Sequence, residues 1–212
     1  PSWIQGRRIN THYRWKDQKT KFYDEEKVTA FFMGLNTAVI PTAQLLRPFF
    51  YEYGPSALKF GGIGTKIGHT LMRGFDDAHL GSEFWKAKDV KKEYTKRVLC
   101  LRRSYRSILF VHLSDAENLA DLEGAKLAYA AYNSLPEEHQ RVKLAGFSAS
   151  PDQLFFINYC VGWCAWHAST TKQQSPYWSR CMVPLKNMPE FSRAFSCAAG
   201  TLMNPDEKCS FW

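Results

Sequence analysis

The sequence predicts an α+β fold, mainly α-helical, with a small β-hairpin at its N-terminal side. Three observations carry that prediction. β-Branched and aromatic residues flank a Gly/Asn turn between residues 28 and 47. Apolar residues then recur at helical spacing in long downstream segments. Between the two lies Gly61-Gly-Ile-Gly-Thr-Lys-Ile-Gly68, whose four glycines predict close packing of a helix start against a neighbour.

In chain order, residues 1–25 read as a basic, extended N-terminal arm, and residues 26–212 as one domain. Val28-Thr-Ala-Phe-Phe-Met33 and Thr37-Ala-Val-Ile40 read as strands around Gly34-Leu35-Asn36, and Pro48 and Pro55 mark a loop. A helix follows through His69. Residues 83–106 read as a long charged helix. Residues 114–133 read as another, because Ser114 and Glu117 form the S-x-x-E capping pattern ahead of Leu119, Leu122, Ala125 and Tyr132. Residues 151–168 read as a helix opened by Ser150-Pro151-Asp152; it is apolar nearly all round, which predicts a buried central position. A short helix is expected over 187–197, and the tail reads as a loop.

Composition narrows the class. The 212 residues are 45% hydrophobic and 15% aromatic, which indicates a globular chain able to bury a core. No run is long and apolar enough for a membrane span. The net charge of +8 is uneven: residues 86–106 carry nine basic side chains against Asp89 and Glu93. Such a segment reads either as a solvated helix face or as a surface for a sulfated polysaccharide or other polyanion. Nucleic acid is not the expected partner. Six cysteines in a chain of this size point to an oxidising, secreted or extracellular setting. They allow fifteen pairings, among which sequence alone does not choose.

The most informative segment is residues 61–77. It has the outline of a zinc-binding helix, in which H-E-x-x-H places two histidines on one face and a glutamate as general base. Here the three positions are His69, Thr70 and Arg73. A guanidinium stays protonated and has no lone pair for a metal, and a threonine hydroxyl is no base near neutral pH.

Four ordered segments resemble the neprilysin and endothelin-converting-enzyme metallopeptidases. Val28-Thr-Ala-Phe-Phe32 with Ile40-Pro-Thr-Ala-Gln-Leu-Leu-Arg-Pro-Phe-Phe50 is similar to their V-N-A-Y-Y and F-P-A-G-I-L-Q-P-P-F-F stretch. Residues 61–77 resemble G-G-I-G-x-x-I-G-H-E-x-x-H-x-F-D-D. Glu117-Asn-Leu-Ala-Asp121 resembles E-N-x-x-D, and Met203-Asn-Pro205 to Cys209-Ser-Phe-Trp212 resembles the M-N-P…C-x-x-W ending. The likeness covers residues 25–212. It implies a thermolysin-like (zincin) catalytic-domain fold without the family's N-terminal helical domain.

Position by position, the resemblance implies that the zinc ligands would be His69, the residue at Arg73, and Glu117. The base position is Thr70, and the residues that support the tetrahedral intermediate are Asp121 and, in place of a histidine, Gln174. The substrate-holding positions are Thr29, Ala30 and Arg180. Cys100 is expected to pair with Cys209. The family cysteines matching Cys164 and Cys197 reach into the N-terminal domain, so Cys160, Cys164, Cys181 and Cys197 are expected to pair among themselves, or with a second chain.

Simpler roles stand beside these. His69 also fits an ordinary hydrogen-bonded histidine, Glu117 a capping residue, Asp121 a helix-face carboxylate and Arg180 a surface residue. Arg73 and Glu117 are expected to form an ion pair in place of the metal. Taken together, the residues lead to the expectation of a catalytically inactive, secreted, neprilysin-like pseudopeptidase. It would hold no zinc and would work by binding a peptide, protein or polyanion. The alternatives are an active zinc metalloendopeptidase with an altered site, the one reading that requires zinc, and a structural subunit of a larger assembly.

Overall fold

The computed structural model describes residues 30–32, 37–75, 88–106, 115–164 and 175–211. The N-terminal arm, Thr29, Asp76, Asp77, Ser114 and Gln174 lie outside the described residues, as do the hairpin turn and residues 83–87. The hairpin consists of β1 (Ala30–Phe32) and β2 (Thr37–Val39), antiparallel, with Ala30 opposite Val39 and Phe32 opposite Thr37.

The glycine-rich segment lies within a helix as well as leading into one. Helix α1 (Ser56–Lys59) runs through a π-helical turn at Phe60–Gly64 into α2 (Thr65–Met72), which ends in a 3-10 turn at Arg73–Phe75. Then come α3 (Lys88–Arg106), α4 (Asp115–Asn133), α5 (Glu137–Gln140), α6 (Pro151–Val161), α7 (Tyr177–Lys186) and α8 (Pro189–Ala194).

Glycine is required where these helices meet. A Cβ on Gly61 would overlap the carbonyl of Phe155 in α6, and one on Gly62 would overlap that of Phe49. A Cβ on Gly68 would overlap the carbonyl of Gly124, and one on Gly124 would overlap the His69 backbone. The backbones of α2 and α4 therefore touch at Gly68 and Gly124. Gly124→Ala is expected to push them apart and to destabilise the protein by about 1–3 kcal/mol, read as a lower denaturation midpoint with an unchanged m-value.

Helix α6 is the buried central element, with Leu154, Phe155, Phe156 and Tyr159 all under 4% exposed. Phe155 packs edge-on against Phe156 and Tyr129, while Phe156 stacks on Tyr129 and Phe155 on Tyr132 of α4. Its start is a full capping box: Ser150 Oγ accepts from Gln153 N, and Gln153 Oε1 accepts from Ser150 N. Its end departs from the expected 168. The helix stops at Val161, because Gly162, a weak helix former, opens a tighter turn in which Trp163 N bonds Cys160 O and Cys164 N bonds Val161 O.

Helix α7 is not evident from periodicity, since Pro184 lies inside it. A proline there has no N–H for the carbonyl four residues back. That carbonyl belongs to Arg180, and the Tyr159 hydroxyl donates to it instead at 2.7 Å. The substitution of a side-chain donor for a missing backbone donor keeps the helix intact beneath α6.

The basic segment forms one amphipathic helix. Val98, Leu101 and Tyr105 of α3 are buried, while Lys91, Lys92, Lys96, Arg102 and Arg103 face solvent. Lys96 and Arg97 share Glu93, and Arg102 pairs with Asp115. The tail folds back over this region: Asn187 Oδ1 accepts from Cys209 N at 2.8 Å, and Glu123 Oε1 accepts from Phe211 N at 3.1 Å.

Disulfides tie the frame at two places, Cys100 to Cys209 and Cys160 to Cys181. The expectation that Cys160, Cys164, Cys181 and Cys197 all pair among themselves is corrected. The Cα atoms of Cys160 and Cys181 stand 5.0 Å apart across α6 and α7, within disulfide range. Cys164, exposed at the end of the α6 turn, and Cys197, half-buried after α8, form no disulfide within the chain.

Candidate functional site

The contact of α2 with α4 creates the site. Gly68 immediately precedes His69, and Gly124 lies three residues after Asp121, so backbone contact presses His69 onto the face of α4 that carries Glu117 and Asp121. Those two carboxylates are four residues apart on one helix face, an unfavourable pairing unless cations intervene. Three side chains supply positive charge between them: His69 and Arg73 from the α2 segment, and Arg180 from α7.

Asp121 is the centre of the cluster and is 2% exposed. It accepts from His69 Nδ1 at 2.8 Å, from Arg180 Nε at 2.6 Å and from Arg180 Nη2 at 2.8 Å. The Arg180 contact is the bidentate fork that suits a planar guanidinium. Glu117 takes Arg180 Nη2 at 3.3 Å, lies 3.4 Å from His69 Nε2, and forms an ion pair with Arg73 Nη1 at 3.4 Å. Arg73 and Glu117 therefore link α2 to α4 across the place where the resemblance would set a metal.

The electrostatics follow from this packing. Burial works against the charge on Asp121, but Arg180 and the His69 hydrogen bond outweigh it and hold the carboxyl well below the usual range. Glu117 is likewise lowered, since His69, Arg73 and Arg180 overcome its burial. Burial also opposes the His69 imidazolium, yet its bonds to Asp121 and Glu117 raise its pKa. Both ring nitrogens face carboxylates, which suits the protonated ring.

Two residues outside the family's chemical positions complete the site. Lys66 Nζ lies 3.3 Å from the centre of the Trp163 ring and 5.5 Å from that of Phe49. The Arg180 guanidinium carbon lies 4.1 Å from the same Trp163 centre. Burial pulls the Lys66 amine down to about 7, with Asp121 opposing that and Arg180 adding to it. Lys66 is recognisable from sequence as a further basic residue on the His69–Arg73 helix. Trp163 is not, because inside an apolar run it reads as core; the turn at Gly162 is what swings it under the cations.

The remaining sequence-derived positions divide as follows. Thr70 is 1% exposed, and its Oγ1 donates to the Lys66 carbonyl at 2.9 Å, so its hydroxyl is committed within its own helix. Ala30 lies in β1, beside the α2 end: a Cβ on Gly74 would overlap the Phe31 ring. Arg180, read either as a substrate-holding or a surface group, is 5% exposed and has Nε and Nη2 on carboxylates of α4.

This donor set does not fit zinc. A catalytic zinc site needs three protein ligands and an open position. Arg73 supplies only N–H donors, the Nδ1 of His69 is on Asp121, and both Glu117 oxygens lie against cations. Among the described residues no group of three His, Cys, Asp or Glu is arranged to hold a metal ion.

Comparison with known proteins places this geometry in a family context. Residues 29–211 match peptidase family M13. The chain is 34% identical over 209 residues to neprilysin-2 of Caenorhabditis elegans, covering 87% of the chain and 28% of that protein. It is 34% identical over 212 residues to human membrane metallo-endopeptidase-like 1, covering 87% of the chain and 27% of that protein. Among solved structures, it superposes on the Haemonchus galactose-containing glycoprotein complex with a TM-score of 0.74 at 26% identity, covering 90% of this chain and 34% of that one. It superposes on the inhibitor complex of the Mycobacterium tuberculosis zinc metalloprotease ZMP1 with a TM-score of 0.72 at 25% identity, covering 92% and 34%. The chain thus spans less than a third of the length of these neprilysins and corresponds to the catalytic half of the zincin fold.

Proposed function

Because the chain belongs to peptidase family M13, the neprilysin family of zinc metallopeptidases, we propose that it is a member that binds rather than cuts. One observation carries this reading: the second-histidine position holds Arg73, and its guanidinium is ion-paired with the very glutamate that would otherwise ligate the metal. The base position adds to it, since Thr70 offers a buried hydroxyl bonded to its own helix. Loss of a general base alone typically removes about 10²–10⁴-fold in rate, and here a ligand is gone as well.

The occupant proposed is a peptide or protein segment in extended form. β1 holds the substrate-holding position Ala30 and borders the end of α2 through Phe31 and Gly74, and the segment is proposed to lie along it as an added strand. No helix among the described residues is long and apolar enough to cross a membrane. Two disulfides accord with a secreted protein.

The purified protein is expected to hold far less than one equivalent of zinc after equilibration with the metal, and to leave a quenched peptide uncut. Metal analysis and fluorescence assay check both. Stoichiometric zinc with chelator-sensitive cleavage would overturn the proposal in favour of an active metalloendopeptidase with an altered site. A second reading, a structural subunit of an assembly, has the support of the structural neighbour described as a glycoprotein complex. Light scattering of the native protein separates it from a monomer.

A further inference from the structure

From the Lys66–Trp163 geometry we infer that Lys66 is the recognition point for an acidic side chain of the bound peptide or protein. The inference rests on the binding reading above and supplies the ligand chemistry which that reading leaves open.

Lys66 sits one turn before His69 on α2, directed at ring faces: Trp163 at 3.3 Å and Phe49 at 5.5 Å. Among the described residues, no carboxylate, carbonyl or hydroxyl accepts a hydrogen bond from its ammonium, and it has no ion pair. The nearby carboxylates are already committed, Asp121 to His69 and Arg180, and Glu117 to Arg73, Arg180 and His69. An ammonium has three donors, and ring faces replace only part of its hydration. Lys66 is partly exposed and its Nζ keeps access to solvent, so a ligand can reach the ammonium. An incoming anion would supply the acceptor that these donors lack among the described residues, so the arrangement is one that such an anion completes.

Charge and place together select a carboxylate on a peptide. Among the described residues the cluster brings together Lys66, His69, Arg73 and Arg180 with Glu117 and Asp121, and neither of these carboxylates is ion-paired with Lys66. Arg180 shares the Trp163 ring with Lys66 at 4.1 Å, so an anion arriving there meets two cations. Strand β1 lies against the same helix end, through Phe31 and Gly74. An extended peptide along that strand turns every second side chain toward one face, and the anionic side chains a peptide brings are those of Asp and Glu. The lowered Lys66 amine accords with this, since it lacks a counter-ion.

The test uses the full chain with 13C-labelled lysine. The Lys66 side-chain signal, displaced by the Trp163 ring and assigned by its absence in Lys66→Met, is followed by NMR. Methionine keeps the length and stacks on aromatic rings, so the variant retains the fold. The probes are glutarate against glutaramide, and N-acetyl-Ala-Glu-Ala-amide against N-acetyl-Ala-Gln-Ala-amide. Glutarate and the Glu peptide are expected to shift the Lys66 signal saturably, with each neutral analogue binding at least about tenfold more weakly. In Lys66→Met that preference is expected to fall to within about twofold. Equal binding of the Glu and Gln peptides to the wild type overturns the inference and leaves the peptide-binding reading in place. So does glutarate acting only on surface lysines. Glutarate bound at Lys66 with neither peptide bound upholds the carboxylate site and overturns the peptide-binding reading beneath it.

Discussion

Asp121→Asn is expected to destabilise the protein by about 3–5 kcal/mol, the usual result of leaving a buried cation without its partner. Asp121 is buried and holds both the Arg180 fork and His69 Nδ1. An asparagine keeps the volume but removes the charge, and one end of its amide presents N–H donors to the donors of Arg180. The guanidinium would then be buried beside Trp163 with only Glu117 to balance it. Urea denaturation of the oxidised protein measures the effect; a change below about 1 kcal/mol, the scale of an exposed ion pair, would show that the cluster is not a structural centre.

The same variant is expected to flatten the pH dependence of stability. Asp121 and Glu117 have lowered folded-state pKa values. Their contribution is therefore full above the unfolded carboxyl values near about 4 and is lost as pH falls through the folded ones. His69 has a raised folded-state pKa. Its contribution is full below about 6.5 and is lost as pH rises through the folded value. Lys66 acts oppositely: with its amine pulled from 10.5 to about 7, its penalty is full below about 7 and is relieved as pH rises toward 10.5. Removing the Asp121 charge takes away the largest acid-side loss and weakens the His69 contribution, so the acid limb of the stability curve becomes shallower.

Arg73→His is expected to raise zinc affinity by more than about a hundredfold, since it supplies the third ligand beside His69 and Glu117 and removes the cation paired with Glu117. Arg73→Met is the control, because it breaks the ion pair without adding a ligand and is expected to bind zinc as weakly as the wild type. Calorimetric titration with zinc distinguishes them; equal zinc affinity in the wild type and Arg73→His would refute the idea that Arg73 displaces the metal. Hydrolysis is not expected to return with Arg73→His alone, since Thr70 still occupies the base position with its hydroxyl bonded to the Lys66 carbonyl.

Local signals in the sequence sufficed for the hairpin, for the helix over Asp115–Asn133 and for the start of α6. In each case the cause lies within a few residues: a turn between β-formers, an apolar stripe, or a cap. The family resemblance identified the chemical positions, because motifs such as His69-Thr-Leu-Met-Arg73 and Glu117-Asn-Leu-Ala-Asp121 persist as contiguous strings. Helix α7 was hidden, because Pro184 reads as a breaker when the rescuing donor, Tyr159, lies on another helix, 21 residues from the Arg180 carbonyl it serves. The α6 end was overextended, because its apolar run continues past the glycine that ends the helix.

What the sequence determined by itself is therefore the hairpin, the helix over Asp115–Asn133, the start of α6 and the replacement of two zinc-helix residues, all properties of neighbouring positions along the chain. Only the tertiary structure decided how the remaining charges are satisfied. The touching backbones at Gly68 and Gly124 set His69 on Asp121, α7 brings Arg180 in from 59 residues away, and the turn after Val161 lays Trp163 against Lys66. Charge pairing acts over a few ångströms in space with no periodicity along the chain. The opening His69-Thr-Leu-Met-Arg73 motif shows which residues of the zinc-helix pattern are replaced, whereas the packing of α2, α4 and α7 shows how the charges around it are paired.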